Sequence, residues 1–435
     1  MPVRIRSGAL QSFLLEGISG GIDYAGTMNR TNRLVLANGL KIVTAVALLA
    51  VGWTAEATSE AERQKVASAN VGFAFRLLRE VVREQPDRNV FISPYGASVV
   101  LQMACTGAEG QTKAEMERVL GTADFGGDVV NGANQDFERV LNGEGTNVAL
   151  SVANGLWYQK GAQAKASFVA SCQQYFGATV DGLDFADPRS VGVINAWASE
   201  KTRGKITSIA DGMINPLTEL FLANAVYFKG RWEEPFDAKL TKNRVFHLRG
   251  GKQQQCPMME QSRKFDYRRG TGYEAVRLEY QGWALGMYVF LPDAGSSPEK
   301  LAGIMTGETW QRVTEPGFTQ RQGTVVLPKF KLEYGVELKQ PLIALGMRKA
   351  FDKADFGGIS DRALFVSAVR QQTFVEVNEE GTEAAAATGM TMRSDMDIDP
   401  PKPFRMIVDR PFMFLIEDKE TKAILFMGVV LNPGV

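Results

Sequence analysis

The hydrophobic pattern of this chain is helical in its first half and strand-like in its second. Between residues 70 and 83, Phe73, Leu77, Leu78, Val81 and Val82 recur at three- and four-residue spacing with charged residues between them, which predicts an amphipathic helix. A second helix is predicted over 112–120, where Thr112 and Glu115 have the spacing of a capping box and Gly121 stops the run. Helical patterns also cover 168–175 and 190–203. Strand-like runs then take over at 220–228, 284–291, 323–332, 373–378, 412–417 and 423–431. Helices first and antiparallel-looking strands later predict one α+β domain over 58–435, with no internal repeat and no long Pro/Ser linker to divide it.

Residues 1–57 read as an address rather than as fold. From Met28 the chain carries Arg30 and Arg33, then Lys41, an apolar run over 42–51, and Ala55-Glu56-Ala57. A basic region, a short apolar core and a small-x-small site together predict a secretory signal cut after Ala57, with Met28 as the start and an extracellular or periplasmic destination. The apolar run is too short for the ~20 residues that span a bilayer, which argues against a permanent membrane anchor.

The composition, 45% hydrophobic and 23% charged over 435 residues, is that of a globular protein. With 49 basic and 49 acidic residues, no whole-molecule field draws the chain to nucleic acid or an anionic membrane. Cys105, Cys172 and Cys256 are odd in number and far apart, so they predict no metal site and no full disulfide framework: at most one bridge is possible, and small buried thiols are the expected reading. The single histidine, His247, sits in a strand-like segment without a nucleophile elbow, a zinc helix or a phosphate loop, which argues against a hydrolase. No metal or cofactor is expected.

The chemistry-bearing feature is a loop. After the strand at 373–378, residues 379–403 form a connection far longer than compact domains usually contain. Read locally, it is a linker or a short helix capped by Thr382. Read at period two, Thr382, Ala384, Ala386, Thr388, Met390 and Met392 make one uncharged face, small first and then apolar, while Glu383 and Arg393 fall on the other. Such a segment is patterned to become a buried strand, and proline is held back until Pro400.

From about residue 61 to the C-terminus the chain resembles the serpins. The likeness is carried by Asn89-Val90-Phe91-Ile92-Ser93-Pro94, Gly107-Ala108-Glu109-Gly110-Gln111-Thr112, Ala153-Asn154-Gly155-Leu156-Trp157, Ile194-Asn195-Ala196-Trp197 and Thr202-Arg203-Gly204-Lys205-Ile206. It continues through Asn224-Ala225-Val226-Tyr227-Phe228-Lys229-Gly230-Arg231-Trp232, Leu327-Pro328-Lys329-Phe330, Arg410-Pro411-Phe412, Phe426-Met427-Gly428 and Asn432-Pro433. Each motif is weak alone; their order is specific.

The resemblance implies a serpin fold: N-terminal helices packed on a large, mostly antiparallel sheet, further sheets, and an exposed reactive-centre loop. It implies a monomeric suicide inhibitor of a serine or cysteine protease, with a non-inhibitory binding or storage protein as the alternative. The hinge would comprise Glu379, Gly381, Thr382, Ala384, Ala385, Ala386 and Ala387, with Gly381 free to swing and Thr382 and the alanines small enough to enter between closed strands. Counting from the hinge puts the reactive bond at Asp395-Met396; extra residues before Pro411 leave Arg393-Ser394 open, with the bonds at Met392 and Met396 behind it. By the same resemblance Lys329 pairs with Glu379, Trp232 packs where the loop would enter, and Ser93 and Asn224 govern sheet opening beneath. The family often carries a histidine at the position of Gln371, and its absence argues against a pH-dependent shutter. Arg139 is the only basic residue in 128–141, which argues against a glycosaminoglycan cofactor at that helix.

Overall fold

The computed structural model describes residues 58–141, 148–282, 284–315, 317–382 and 402–434. The N-terminal leader therefore lies outside the described residues. In chain order the main elements are α1 (Glu60–Glu84), β1 (Val90–Ile92), α2 (Pro94–Cys105), α3 (Gly110–Leu120), α4 (Gly127–Leu141), β2 (Val148–Gln159), α5 (Ala166–Phe176), β3 (Thr179–Leu183) and α6 (Arg189–Lys201). They continue with β4 (Leu220–Arg231), β5 (Lys242–His247), β6 (Gln253–Gly270), β7 (Tyr273–Glu279), β8 (Leu285–Pro292), α7 (Pro298–Ile304), α8 (Gly307–Thr314), β9 (Thr319–Pro328) and β10 (Phe330–Glu337). The chain closes with α9 (Lys339–Leu345), β11 (Val366–Asn378), β12 (Gly381–Thr382), β13 (Phe404–Ile407), β14 (Phe412–Asp418) and β15 (Ile424–Val430).

α1 starts ten residues before its apolar stripe becomes regular. Its first turn is polar and is fixed by a capping box: Ser59 Oγ accepts from Glu62 N–H at 3.3 Å, and the Glu62 carboxylate accepts from Ser59 N–H at 2.9 Å. α2 escaped the periodicity because all twelve of its residues are buried, so no polar face marks it. Ser93 caps it, donating no side-chain proton there but accepting from Gly96 N–H at 3.2 Å, and Pro94 takes the first helical position.

Two expectations need correction. Thr112 and Glu115 do not cap α3, whose N-cap is Glu109 and lacks a side-chain bond. Both are buried and reach another segment instead: Thr112 Oγ1 accepts from Asp355 N–H at 2.9 Å, and the Glu115 carboxylate accepts from the N–H groups of Arg348 and Lys349 at 2.8 and 2.7 Å. The Gly121 stop is found, in the left-handed conformation at φ 80°. The run at 323–332 is two strands, broken at Lys329: β9 pairs with β6 and β10 with β11, in different sheets.

The larger sheet runs β1-β15-β14-β8-β7-β6-β9-β13, with β5 on β6; the smaller runs β10-β11-β12-β4-β2-β3. α2 packs on β2 and β4 of one sheet and on β15 of the other, so its N-terminus is placed beneath the centre of the smaller sheet. There, unusually, the neighbours β4 and β11 run parallel and pair directly: Gln371 lies beside Asn224 and Phe374 beside Tyr227. β4 is almost wholly buried, and β11 is buried or half-buried along its whole length, as central strands require.

His247 is exposed at the end of β5, and its backbone N–H donates to Asp409 O at 2.7 Å. Cys105, Cys172 and Cys256 are buried free thiols, and burial pushes those of Cys105 and Cys172 up to about 12. Among the described residues no helix is long and apolar enough to cross a membrane, and no cluster of His, Cys, Asp or Glu could hold a metal.

Candidate functional site: a hinge seated in a slot

Above the point where β4 and β11 touch, they diverge around two residues. Gly381 and Thr382 pair antiparallel to both strands at once: Thr382 lies between Val377 and Gly230, and Gly381 between Asn378 and Arg231. Gly381 reaches this position at φ 148°, and a Cβ there would run into the carbonyl oxygen of Gly230, so only glycine fits. Thr382 is fully buried, with its hydroxyl 2.8 Å from that of Tyr280.

The segment from Asn378 to Glu380, just before Gly381, is tied down. Trp232 is fully buried; its indole N–H donates to Asn378 O at 3.0 Å, and its ring stacks on Tyr280 at 4.6 Å between centroids. The Trp232 backbone N–H donates to Glu380 O at 2.9 Å, and Phe236 N–H to Glu379 O at 2.7 Å. Lys329 Nζ lies 2.9 Å from the Glu379 carboxylate, which also accepts from Thr241 Oγ1 at 2.8 Å. Burial pushes the Glu379 carboxyl up, but Lys329, its own backbone N–H and Thr241 together hold it below the usual carboxylate range. The break in the 323–332 run sets Lys329 between the two sheets, opposite Glu379.

Lower down, the parallel pair is cross-linked. Gln371 Oε1 accepts from Ser93 N–H at 2.9 Å, and Gln371 Nε2 donates to Ser93 O at 2.8 Å and to Asn224 Oδ1 at 2.7 Å. Asn224 Nδ2 continues to Asn154 Oδ1 at 2.8 Å. Thr373 Oγ1, one turn of the pleat away, donates to Phe91 O at 2.7 Å. One neutral amide therefore fastens β11 to β4 and to the cap of α2, using both acceptor and donor functions. Gly96 leaves room for this, since a Cβ there would collide with the Asn224 amide.

Ser93, Asn224, Trp232, Lys329, Glu379, Gly381 and Thr382 are thus gathered at two levels of one sheet. Ala384, Ala385, Ala386 and Ala387 and the candidate bonds at Arg393, Ser394, Asp395 and Met396 lie outside the described residues. Sequence reasoning missed Tyr280 and Thr241, which no local motif marks, and took Gln371 only as a departure.

Comparison with known proteins agrees with this arrangement. A family model described as serpin (serine protease inhibitor) matches residues 68–433. Leukocyte elastase inhibitor of Bos taurus is 36% identical over 382 residues, spanning 85% of this chain and 100% of that protein. A serpin-like protein of Thermococcus kodakarensis is 35% identical over 379 residues, 86% of this chain and 87% of its own. Among solved structures, human thyroxine-binding globulin superposes with a TM-score of 0.78 at 26% identity, covering 86% of this chain and 100% of that one. The protein belongs to the serpin family. That class is one of protease inhibitors rather than enzymes.

Proposed function

We propose that this serpin is an inhibitory one, a secreted suicide substrate of a serine-type endopeptidase. One observation carries the reading: Gly381 and Thr382 already form an antiparallel pair of rungs between β4 and β11, which below them are joined in parallel. A strand continuing from Thr382 would replace one parallel pairing by two antiparallel ones, and its inward positions are the small and apolar residues from Thr382 to Met392.

The protease serine attacks the carbonyl of Asp395, an ester forms, and the Asp395-Met396 peptide bond breaks with the amine of Met396 leaving. Arg393-Ser394 is the alternative bond. The freed segment, about 14 residues at ~3.3 Å each, then carries the acylated residue roughly 45 Å down the sheet. At about 1 kcal/mol net per ladder bond, plus burial, insertion gains on the order of 10 kcal/mol or more, enough to make it one-way. An acidic residue at the scissile position suits a protease with a basic specificity pocket. Residues 1–57 are the exported leader, 58–435 the inhibitory domain and 379–403 its reactive loop, and the mature protein acts as a monomer.

Incubation with a protease panel tests this. A denaturant-stable complex of summed mass, with the C-terminal peptide starting at Met396, is expected. Cleavage without complex at every ratio favours instead a binding or storage protein; likeness to thyroxine-binding globulin gives that second reading its support.

A further inference from the structure

Beside the lock, a buried polar path stops at a cavity. Asn70 Oδ1 on α1 accepts from Ser98 Oγ at 2.8 Å and from Gln102 Nε2 at 3.0 Å. Gln102 Oε1 accepts from Asn134 Nδ2 on α4, which donates also to Val130 O at 2.8 Å. Those two bonds fix the Asn134 amide: its nitrogen is fully used, and flipping it would strand Gln102 Oε1. Its Oδ1 is then a buried acceptor with no partner, on a residue only 1% exposed.

Asn134 lines a cavity of about 30 Å³, and so does Asn154 on β2, with Tyr95, Val99 and Val152 among the other walls. Asn154 is the neighbour of the lock, its Oδ1 already taken by Asn224. Its Nδ2 is the group available to donate into the cavity. One wall thus offers an amide acceptor and another an amide donor, across a space sufficient for a water, which needs about 10–15 Å³. Left dry, the cavity would strand a buried amide oxygen, a state native interiors rarely tolerate.

We propose that this cavity is a water-binding site. The water donates to Asn134 Oδ1 and accepts from Asn154 Nδ2, closing a hydrogen-bonded path from α1 and α4 through Asn154 and Asn224 to Gln371. The packing of α4 thereby bears on how readily β4 and β11 part. The effect on sheet opening rests on the insertion reading above; the water itself does not.

A high-resolution crystal structure of the whole chain should show water density within hydrogen-bond distance of both amides, and an empty cavity overturns the proposal. Val152→Ile adds one methylene to the cavity wall without removing a hydrogen bond. A wet site then loses its water and the thermal midpoint falls; a dry site is filled and the midpoint rises, which contradicts the proposal. In an Asn134→Leu background, where the cavity-facing acceptor is gone and Gln102 Oε1 has lost its donor whether or not the cavity is filled, Val152→Ile should no longer lower the midpoint. If it still does, overpacking is the cause and the proposal fails. Annealing of a synthetic peptide copying residues 382–395 reads the coupling. Val152→Ile should speed it about fivefold, the effect of losing one ordinary hydrogen bond. Equal rates in the two proteins remove the coupling; no annealing in either counts against the insertion reading and leaves the water to the diffraction result.

Discussion

Truncating Gln371 to alanine is the sharpest perturbation of the closed sheet. The amide makes three bonds, at 2.9, 2.8 and 2.7 Å, to Ser93 N–H, Ser93 O and Asn224 Oδ1. Ser93 and Asn224 are themselves at most 1% exposed, so all three partners are left buried. A stranded buried group costs about 1–3 kcal/mol, and a water entering the vacated space would recover part of it. The expected loss of native stability is therefore roughly 3–5 kcal/mol. One of the bonds ties β11 to β4, the strands that part in the proposed insertion, and two tie β11 to the cap of α2 beneath them, so their loss weakens the closed sheet more than the opening transition state. If the transition state has lost them all, even 3 kcal/mol corresponds to on the order of a hundredfold faster conversion to the inserted form. Urea unfolding gives the first quantity, and conversion of the uncleaved protein at fixed temperature gives the second. A midpoint within about 0.5 kcal/mol of wild type, together with an unchanged conversion rate, would refute the lock.

Other perturbations test separate parts of the account. Thr382→Arg would put an uncompensated charge beside Tyr280 in a fully buried position, at several kcal/mol, so the variant should be cleaved as a substrate without trapping. Thr382→Val, which loses only the hydroxyl pair, should still trap protease, with about 1 kcal/mol less stability by thermal unfolding. A double-mutant cycle on Lys329 and Glu379 should return a coupling of at most about 1 kcal/mol, since the lysine is one-third exposed. Because the folded carboxyl of Glu379 sits below its usual range, that coupling should be present at neutral pH and disappear as pH falls through its folded value. Glu417 behaves oppositely: burial raises its carboxyl, against hydrogen bonds from Tyr288 and Trp310 at 2.9 and 3.1 Å. A raised folded value means the stability that Glu417 contributes is fully present below the ordinary carboxylate value and is lost as pH rises through the folded value, and Glu417→Gln should flatten that part of the curve in pH-dependent urea titrations.

The capacity of the segment at Gly381 and Thr382 to enter a sheet was legible in the sequence, because small residues at period two with a glycine ahead of them suit a strand. Its slot was not. β4 and β11 meet as a parallel pair across Asn224 and Gln371, 147 positions apart, and no local pattern reports such a meeting. Lys329 shows the same limit from the other side: the run around it looked continuous at period two, yet the chain crosses between sheets there, which is what brings the ammonium to Glu379. Thr112 and Glu115 have capping spacing but spend their oxygens on the N–H groups of residues more than 230 positions away. α2 lacked the contrast between faces on which a periodic reading depends. Gln371 was read as an absent histidine, whereas its amide supplies both the acceptor and the donor that the lock uses, without titrating.

The central claim is that the space between β4 and β11 is a strand site held in reserve, and one measurement bears on it most directly. The thermal midpoint of the protein nicked within residues 383–401 by a non-target protease should be compared with that of the intact chain. With about 14 residues inserted and on the order of 10 kcal/mol gained, at about 1 °C per kcal/mol for a domain of this size, the midpoint should rise by on the order of 10 °C. A nicked protein that melts at or below the intact one would contradict the claim.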